Sequence, residues 1–326
     1  MKKNILVTGG LGFIGFNFIK YIIENDLPYN ITNIDCRTYA AKYCINEKLS
    51  YFSDHYIDDH ELDICIIDDI DDIEEILIEK KIDIIINFAA ESHVDNSINN
   101  PSIFLDTNIY GVLNLLELCK KHKIRFHQVS TDEVYGPVDP YKDNVDENFK
   151  YNPSSPYSVS KTSADLLVLS YIRTYNINAT ISRCTNNFGP YQHPEKLIPK
   201  VITNVFNNIK IPVYGDGKQI RNWIYVDDHC QGILSILEKG KLGEIYNIGS
   251  DTLIPNIDVI KEILNQLKKS NDLISYVIDR PGHDFAYHLN SNKIKNETGW
   301  KELNSFSKNL TKTIEWYKEH ENCNNR

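Results

Sequence analysis

The sequence predicts an α/β fold: a doubly wound parallel sheet followed by a smaller C-terminal α/β lobe. Three observations carry this. Short apolar runs alternate with longer helical patterns through the first half. Those runs are near-continuous rather than alternating, as in strands covered on both faces. After about residue 185 the rhythm breaks, and Pro and Gly punctuate "NNFGPYQHPEKLIP" and "PVYGDGKQIRNWIYVDD".

The elements follow in order. "NILVTG" reads as strand and "FIGFNFIKYIIEN" as helix, then "NITNID" as strand. "IDDIEEILIEKK" is helix, "IDIIINFAA" strand, "IFLDTNIYGVLNLLELCKKH" helix and "IRFHQVS" strand. "SKTSADLLVLSYIRTY" is helix and "NATISR" strand. Right-handed crossovers between such strands wind the sheet doubly. Beyond them come the strand "EIYNIG", a helix around Val259 to Leu267, and "VIDRPGHD". Residues 1–185 are expected to form the first lobe, with a segment near 224–248 returning to it, and 186–326 mainly the second. The acidic run "DDIDDIEE" reads as a solvated helix start, its carboxylates at the positive end of the helix dipole.

A length of 326 residues allows one large domain or two intimate ones. Hydrophobic content of 41% and charge of 25% are ordinary for a globular protein. The net charge of −10 argues against nucleic acid or an anionic membrane as partner. Seven cysteines, an odd number without metal-ligand spacing, fit a reducing, cytoplasmic setting. The opening "MKKNILVTGG" has too short an apolar run for a signal peptide, and no run is long enough to span a membrane.

"VTGGLGFIG" places Gly9, Gly12 and Gly15 at the first strand-to-helix turn. Glycine there permits a tight turn and close backbone approach to a pyrophosphate, while the helix N-terminus offers N–H groups to it. Twenty residues beyond the last glycine, Asp35 ends the second strand. A carboxylate there accepts hydrogen bonds from ribose hydroxyls and repels a 2′-phosphate, which favours NAD over NADP.

"PYSVSK" supplies Tyr157 and Lys161, four apart at a predicted helix start and so on one face. A free phenol titrates at about 10, too high for a base at neutral pH. A nearby ammonium and a nicotinamide cation favour the phenolate, which could take a hydroxyl proton as its carbon gives up hydride. "STDEVYG" puts Asp132 beside Glu133 where an apolar run ends. Two adjacent carboxylates repel each other, and in one closed site repulsion splits their titration; by themselves the two also read as a pair that merely ends a strand.

The glycine loop, Asp35, Thr131 and "YSVSK" resemble the extended short-chain dehydrogenase/reductase superfamily. "AAESHVDNS", "STDEVYG", "NNFGPYQHPEKLIPK", "YGDGKQIRNWIYVDDH" and "RPGHD" resemble one branch of it, the nucleoside-diphosphate-glucose 4,6-dehydratases, typified by the dTDP-glucose enzyme. The likeness runs in order from about residue 3 to residue 300. "NIYG", "HVDNS" and "GEIYNIGS" are also similar to UDP-glucose dehydratases, so the nucleotide stays open between dTDP and UDP.

The resemblance implies a Rossmann-type NAD domain, a lobe that binds a nucleotide sugar, and a homodimer built on the helix carrying Tyr110. A buried helix in a monomer is the other reading of that segment. The reaction implied oxidises C4 of glucose, removes water across C5 and C6, and returns the hydride to C6. Asp132 would be the acid and Glu133 the base, with Thr131 and Tyr157 at the C4 oxygen and Lys161 beside them. NAD would be held by Gly9, Gly12, Phe13, Ile14, Gly15, Asp35, Asp63, Ile64, Ala89, Ala90, Thr107, Tyr157 and Lys161. The nucleotide sugar would meet Ser92, His93, Asn187, Glu195, Lys196, Leu197, Arg221, Asn256, Arg280 and His283. His93 and Asp95 lack further ligands, and no metal is expected. Asn222 departs from the family's usual aspartate in "RNW" and leaves the hydrogen bonding there open. Two alternatives are kept: a sugar epimerase or decarboxylase on the same fold, and a non-catalytic NAD-binding sensor.

Overall fold

The computed structural model describes residues 2–279 and 284–320. The chain begins with β1 (Lys3–Thr8), α1 (Phe13–Glu24), β2 (Tyr29–Ile34), α2 (Tyr39–Lys42), α3 (Ile45–Asp54), β3 (Asp58–His60) and α4 (Ile67–Glu79). It continues through β4 (Ile84–Asn87), α5 (Val94–Asn99), α6 (Pro101–Leu105), α7 (Val112–His122), β5 (Arg125–Thr131), α8 (Pro156–Tyr175) and β6 (Ala179–Cys184). The second half holds β7 (Asn186–Phe188), α9 (Leu197–Phe206), β8 (Ile211–Tyr214), β9 (Ile220–Tyr225), α10 (Val226–Lys239) and β10 (Ile245–Ile248). Last come β11 (Leu253–Pro255), α11 (Asn256–Gln266), β12 (Ile274–Val277), α12 (Asn292–Thr298) and α13 (Phe306–Glu319).

Among the described residues, seven strands form one sheet in the order β10-β6-β5-β4-β1-β2-β3, every pair parallel. The apolar runs make this sheet because successive side chains serve opposite layers. Ile5 and Val7 pack with Phe16 and Ile19 of α1, while Leu6 packs with Leu115 and Leu116 of α7. β10 comes from the second half of the chain and pairs with β6 from Ile245↔Ile181 to Ile248↔Cys184. β7 and β11 flank β9 in a small sheet, and β8 pairs with β12. These cover a separate core that includes Ile198, Val201, Trp223, Ile260 and Leu310.

Three elements differ from the sequence reading. β3 is only "DDH", too short and polar to read as a strand, and exists because it pairs with the edge of β2. The expected continuous helix over 103–122 is α6, a wide π turn at Asp106–Gly111, and α7. A Cβ at Gly111 would stand 2.6 Å from Ile64 Cδ1, so the missing side chain lets the turn approach that loop. α8 starts at Pro156, earlier than its apolar pattern, because Ser155 and Ser158 form a reciprocal cap ahead of the first periodic residue. The acidic run does open a helix: Asp68 and Asp69 fill the first turn of α4.

Candidate active site

The cavity lies along the carboxyl ends of β1, β4 and β5, beside the point where the strand order reverses, the usual ligand crevice of an open α/β sheet. One part is lined by Gly9, Gly12, Phe13, Ile14, Gly15, Ala90, Ser92, Thr131, Asp132, Glu133, Tyr157, Lys161, Asn187, Glu195 and Lys196. The adjoining part shares Gly9, Gly12 and Ala90 and adds Asp35, Asp63, Ile64, Ala89 and Thr107. Fold topology thus gathers segments spread over nearly two hundred residues of sequence.

The glycine turn fits a pyrophosphate. Gly9 has φ +73, and a Cβ there would stand 2.7 Å from the Ala89 nitrogen. A Cβ on Gly15 would stand 2.3 Å from the Gly9 carbonyl oxygen. Gly12 begins α1 with no side chain capping it, which leaves the first-turn N–H groups facing the cavity floor. Asp35 is buried and its two carboxylate oxygens accept the N–H groups of Leu11, at 2.9 Å, and Arg37, at 2.8 Å. The carboxylate thus braces the glycine loop as well as lining the adjoining part of the cavity. Burial, opposed by those two hydrogen bonds, raises its titration. Lys48 was not singled out from sequence: it is fully buried and donates to the Leu11 carbonyl at 2.7 Å. Desolvation lowers its pKa to about 8.

The candidate catalytic groups cluster where β5 ends. Thr131 caps a 3₁₀ turn, Asp132–Tyr135, that turns the two carboxylates away from the strand direction. Its hydroxyl accepts from the Glu133 N–H at 3.3 Å and donates to Asp132 Oδ1 at 3.2 Å. Asp132 Oδ2 is buried with no hydrogen-bond partner among the described residues. Burial first, and the charge of Glu133 second, push Asp132 up to about 8, while the Arg221 guanidinium pulls the other way. Glu133 is only half-buried. The pair therefore differs in environment, as an acid and a base require.

Tyr157 and Lys161 lie on the inner face of α8 and both reach the cavity. The Tyr157 hydroxyl shares a hydrogen bond with Thr131. Lys161 donates to the Val129 carbonyl at 2.8 Å, and desolvation lowers its pKa. Burial, reinforced by the charge of Glu133, holds the Tyr157 phenol well above its ordinary range.

Residues of the second lobe are arranged less uniformly. Asn187 lines the cavity, accepts from the buried His229 ring at 2.9 Å and donates to the Thr185 carbonyl. Glu195 lies 3.6 Å from both His93 and His193. Arg221 lines a neighbouring pocket with Glu133, Asp284 and Tyr287. It stacks 4.8 Å over the Tyr287 ring and donates to the Ile220, Asp284 and Phe285 carbonyls. Leu197 packs on the second core, and Asn256 opens α11. Arg280 and His283 lie outside the described residues. Asn222 donates to the Ser250 carbonyl and hydroxyl and to the Thr252 carbonyl, which an aspartate could not do.

Sequence reading missed Cys36, Thr38 and Ala40 in the adjoining part of the cavity, Gln192 and His193 near Glu195, and Asp284 and Tyr287 beside Arg221. Gln192, His193 and Asp284 stand inside "NNFGPYQHPEKLIPK" and "RPGHD", the signal that could have found them. Lys48 and Tyr287 have no such signal.

Comparison with known proteins agrees with this geometry. The family described as GDP-mannose 4,6 dehydratase matches residues 6–313. A dTDP-glucose 4,6-dehydratase from Salmonella typhimurium is 42% identical, covering 96% of this chain and 92% of the relative. The crystal structure of a dTDP-glucose 4,6-dehydratase from Streptomyces venezuelae, solved with NAD bound, superposes with a TM-score of 0.91 at 38% identity over 98% of both chains. A UDP-glucose 4-epimerase from Thermotoga maritima is more distant in sequence, at 27% identity and a TM-score of 0.88 over 97% of this chain and 99% of that one. The chain belongs to the nucleotide-sugar 4,6-dehydratase family, hydro-lyases of the extended short-chain dehydrogenase/reductase superfamily, on the branch of the dTDP-glucose enzymes.

Proposed function

We propose that the protein converts dTDP-glucose to the 4-keto-6-deoxy nucleotide sugar and water, with NAD as a cofactor regenerated in each turnover. The observation that carries this is the Thr131 turn, which sets a buried Asp132 beside a half-exposed Glu133 in the cavity that also holds Tyr157 and the glycine loop.

NAD⁺, when bound, would supply a hydride acceptor that gives the hydride back at C6, and a positively charged ring that offsets the raised titration of the Tyr157 phenol. The chain does the rest. Tyr157 takes the proton of the C4 hydroxyl, and Thr131 shares a hydrogen bond with it. Lys161 is a positioning group, anchored to β5 through Val129. Once C4 is a ketone, the C5 hydrogen is acidic, and Glu133 takes it. Asp132 keeps its proton through neutral pH and gives it to the departing C6 hydroxyl. Lys196 and Asn187 line the same cavity and suit the diphosphate and sugar.

Incubating the purified protein separately with dTDP-glucose and UDP-glucose tests the reading. The expected result is faster loss of one water from dTDP-glucose, by mass spectrometry, without NADH accumulation. Preference for UDP-glucose would revise the nucleotide, and a galactose nucleotide would revise the reaction. A homodimer is part of the proposal: Ile103, Leu105, Tyr110, Val159 and Leu166 leave large apolar side chains exposed on α6, the π turn and α8. The compartment proposed is the cytoplasm: Cys36, Cys65, Cys119, Cys184 and Cys230 are free thiols and support it, whereas Cys44 is disulfide-bonded and does not. No helix among the described residues is long and apolar enough to cross a membrane.

A further inference from the structure

The turn after β2 carries a cation that faces away from the cofactor cavity. Asp35, Cys36 and Thr38 line that cavity, and Arg37 between them does not. Arg37 adopts a left-handed backbone conformation, φ +50, and its N–H donates to Asp35 Oδ1 at 2.8 Å. Its guanidinium swings instead to β3. Nη2 donates to Asp59 Oδ2 at 2.9 Å, and Nη1 lies 2.9 Å from Glu61 Oε2. Asp59 is itself fixed, because Asn33 donates to its other oxygen at 2.7 Å and the two residues are in register between β2 and β3. Two carboxylates, of Asp59 and Glu61, thus hold the guanidinium, while Asp35 holds only the Arg37 backbone N–H. Beyond them Asp72, Glu75 and Glu79 line the same depression as Asp59 and Glu61.

An arginine beside the ribose carboxylate is what accommodates a 2′-phosphate in dinucleotide-binding folds. A phosphate monoester carries a charge of about −1.5 to −2 at neutral pH. Here the cation is close in sequence to the ribose end but already neutralised. We propose that Arg37 is a masked 2′-phosphate site, and that Asp59 and Glu61, by holding its guanidinium against β3, set the preference for NAD over NADP together with Asp35. This rests on the cofactor reading above. It gives the edge strand β3 a task in specificity, although its residues Asp58–His60 do not line the cofactor cavity.

Retention of dinucleotide by the full-length protein tests it. Each variant is equilibrated with equal NAD⁺ and NADP⁺, and the bound ratio is read by native mass spectrometry. Wild type is expected to retain NAD⁺, and if it retains neither dinucleotide the cofactor reading itself falls. Asp35→Ser/Asp59→Asn/Glu61→Gln is expected to shift the ratio toward NADP⁺ by about tenfold relative to Asp35→Ser alone, the size of one charge-assisted contact. Adding Arg37→Ala should remove that gain. Asp59→Asn/Glu61→Gln with Asp35 intact should shift the ratio in the same direction by less, and serves if the triple variant does not fold. With NAD⁺ retained by wild type, an unchanged ratio in these variants, or a gain that survives Arg37→Ala, overturns the proposal.

Discussion

Asp132 illustrates how one residue's surroundings set its chemistry. Its titration near 8 comes from burial first and from Glu133 second. In its proposed role as the acid it must be protonated, so the dehydration rate should fall as pH rises through about 8, a limb that Arg221 holds at lower pH than burial alone would set. Asp132→Asn removes that proton and should lower kcat roughly 10²–10⁴-fold while abolishing the alkaline limb. Product formation measured from neutral to alkaline pH checks both. Stability moves the same way as activity. The folded-state pKa is raised, so this group favours the fold below the ordinary carboxylate range, and that contribution is lost as pH rises through about 8. The asparagine variant should therefore melt at a higher temperature than wild type above pH 8, in a thermal scan. Glu133→Gln has a different signature: incorporation of solvent deuterium at C5 of the product should disappear with turnover.

Helix α8 shows how an element delivers those residues. Tyr157, Lys161 and Asp165 follow one another at intervals of four on its buried face. Asp165 accepts from Arg183 Nε of β6 at 2.9 Å, and both side chains are fully buried. Arg183 also donates to the hydroxyls of Tyr135 and Tyr151 and lies 4.8 Å from each ring centroid. One guanidinium thus ties the helix of Tyr157 to the turn of Glu133. Arg183→Met leaves the Asp165 carboxylate buried without its cation and should cost about 3–5 kcal/mol in denaturant unfolding. Asp165→Leu/Arg183→Met should recover much of that loss, because neither buried charge remains. Across the same helix, Asn108 on the π turn donates to Ser160 Oγ at 2.8 Å and to the Glu91 carbonyl at 3.0 Å, and accepts the Glu91 N–H. The broken helix is what carries this amide between β4's loop and α8.

At the scale of the molecule, elements from both halves of the chain line one cavity, and β10, from the second half, pairs with β6 at the edge of the large sheet. The exposed apolar side chains of Leu105, Tyr110, Val159 and Leu166, on α6, the π turn and α8, do not line that cavity. Burying them against a second copy would stabilise the helix that bears Tyr157. Tyr110→Glu with Leu166→Glu places two charges on that face and should convert a dimer to a monomer in analytical ultracentrifugation. Activity should fall along with the dimer if the contact steadies α8.

The sequence by itself determined the parallel sheet, the glycine turn, Asp35, the Thr131–Asp132–Glu133 turn and the Tyr157/Lys161 spacing. Each depends on local rules: apolar runs for strands covered on both faces, glycine where no Cβ fits, and four-residue spacing for one helix face. What lay beyond it were contacts between distant segments. β3 forms only because β2 offers an edge, the π turn lies against Ile64 only because Gly111 has no Cβ, and Arg37 faces β3 only because Asp59 and Glu61 are brought there. The protonation of the site was decided in the same way. Sequence placed an acid, a base, a phenol and an ammonium together, but burial, a property of the whole fold, raised Asp132 and Tyr157 and lowered Lys161. Desolvation depends on everything packed around a group, and no local spacing encodes that.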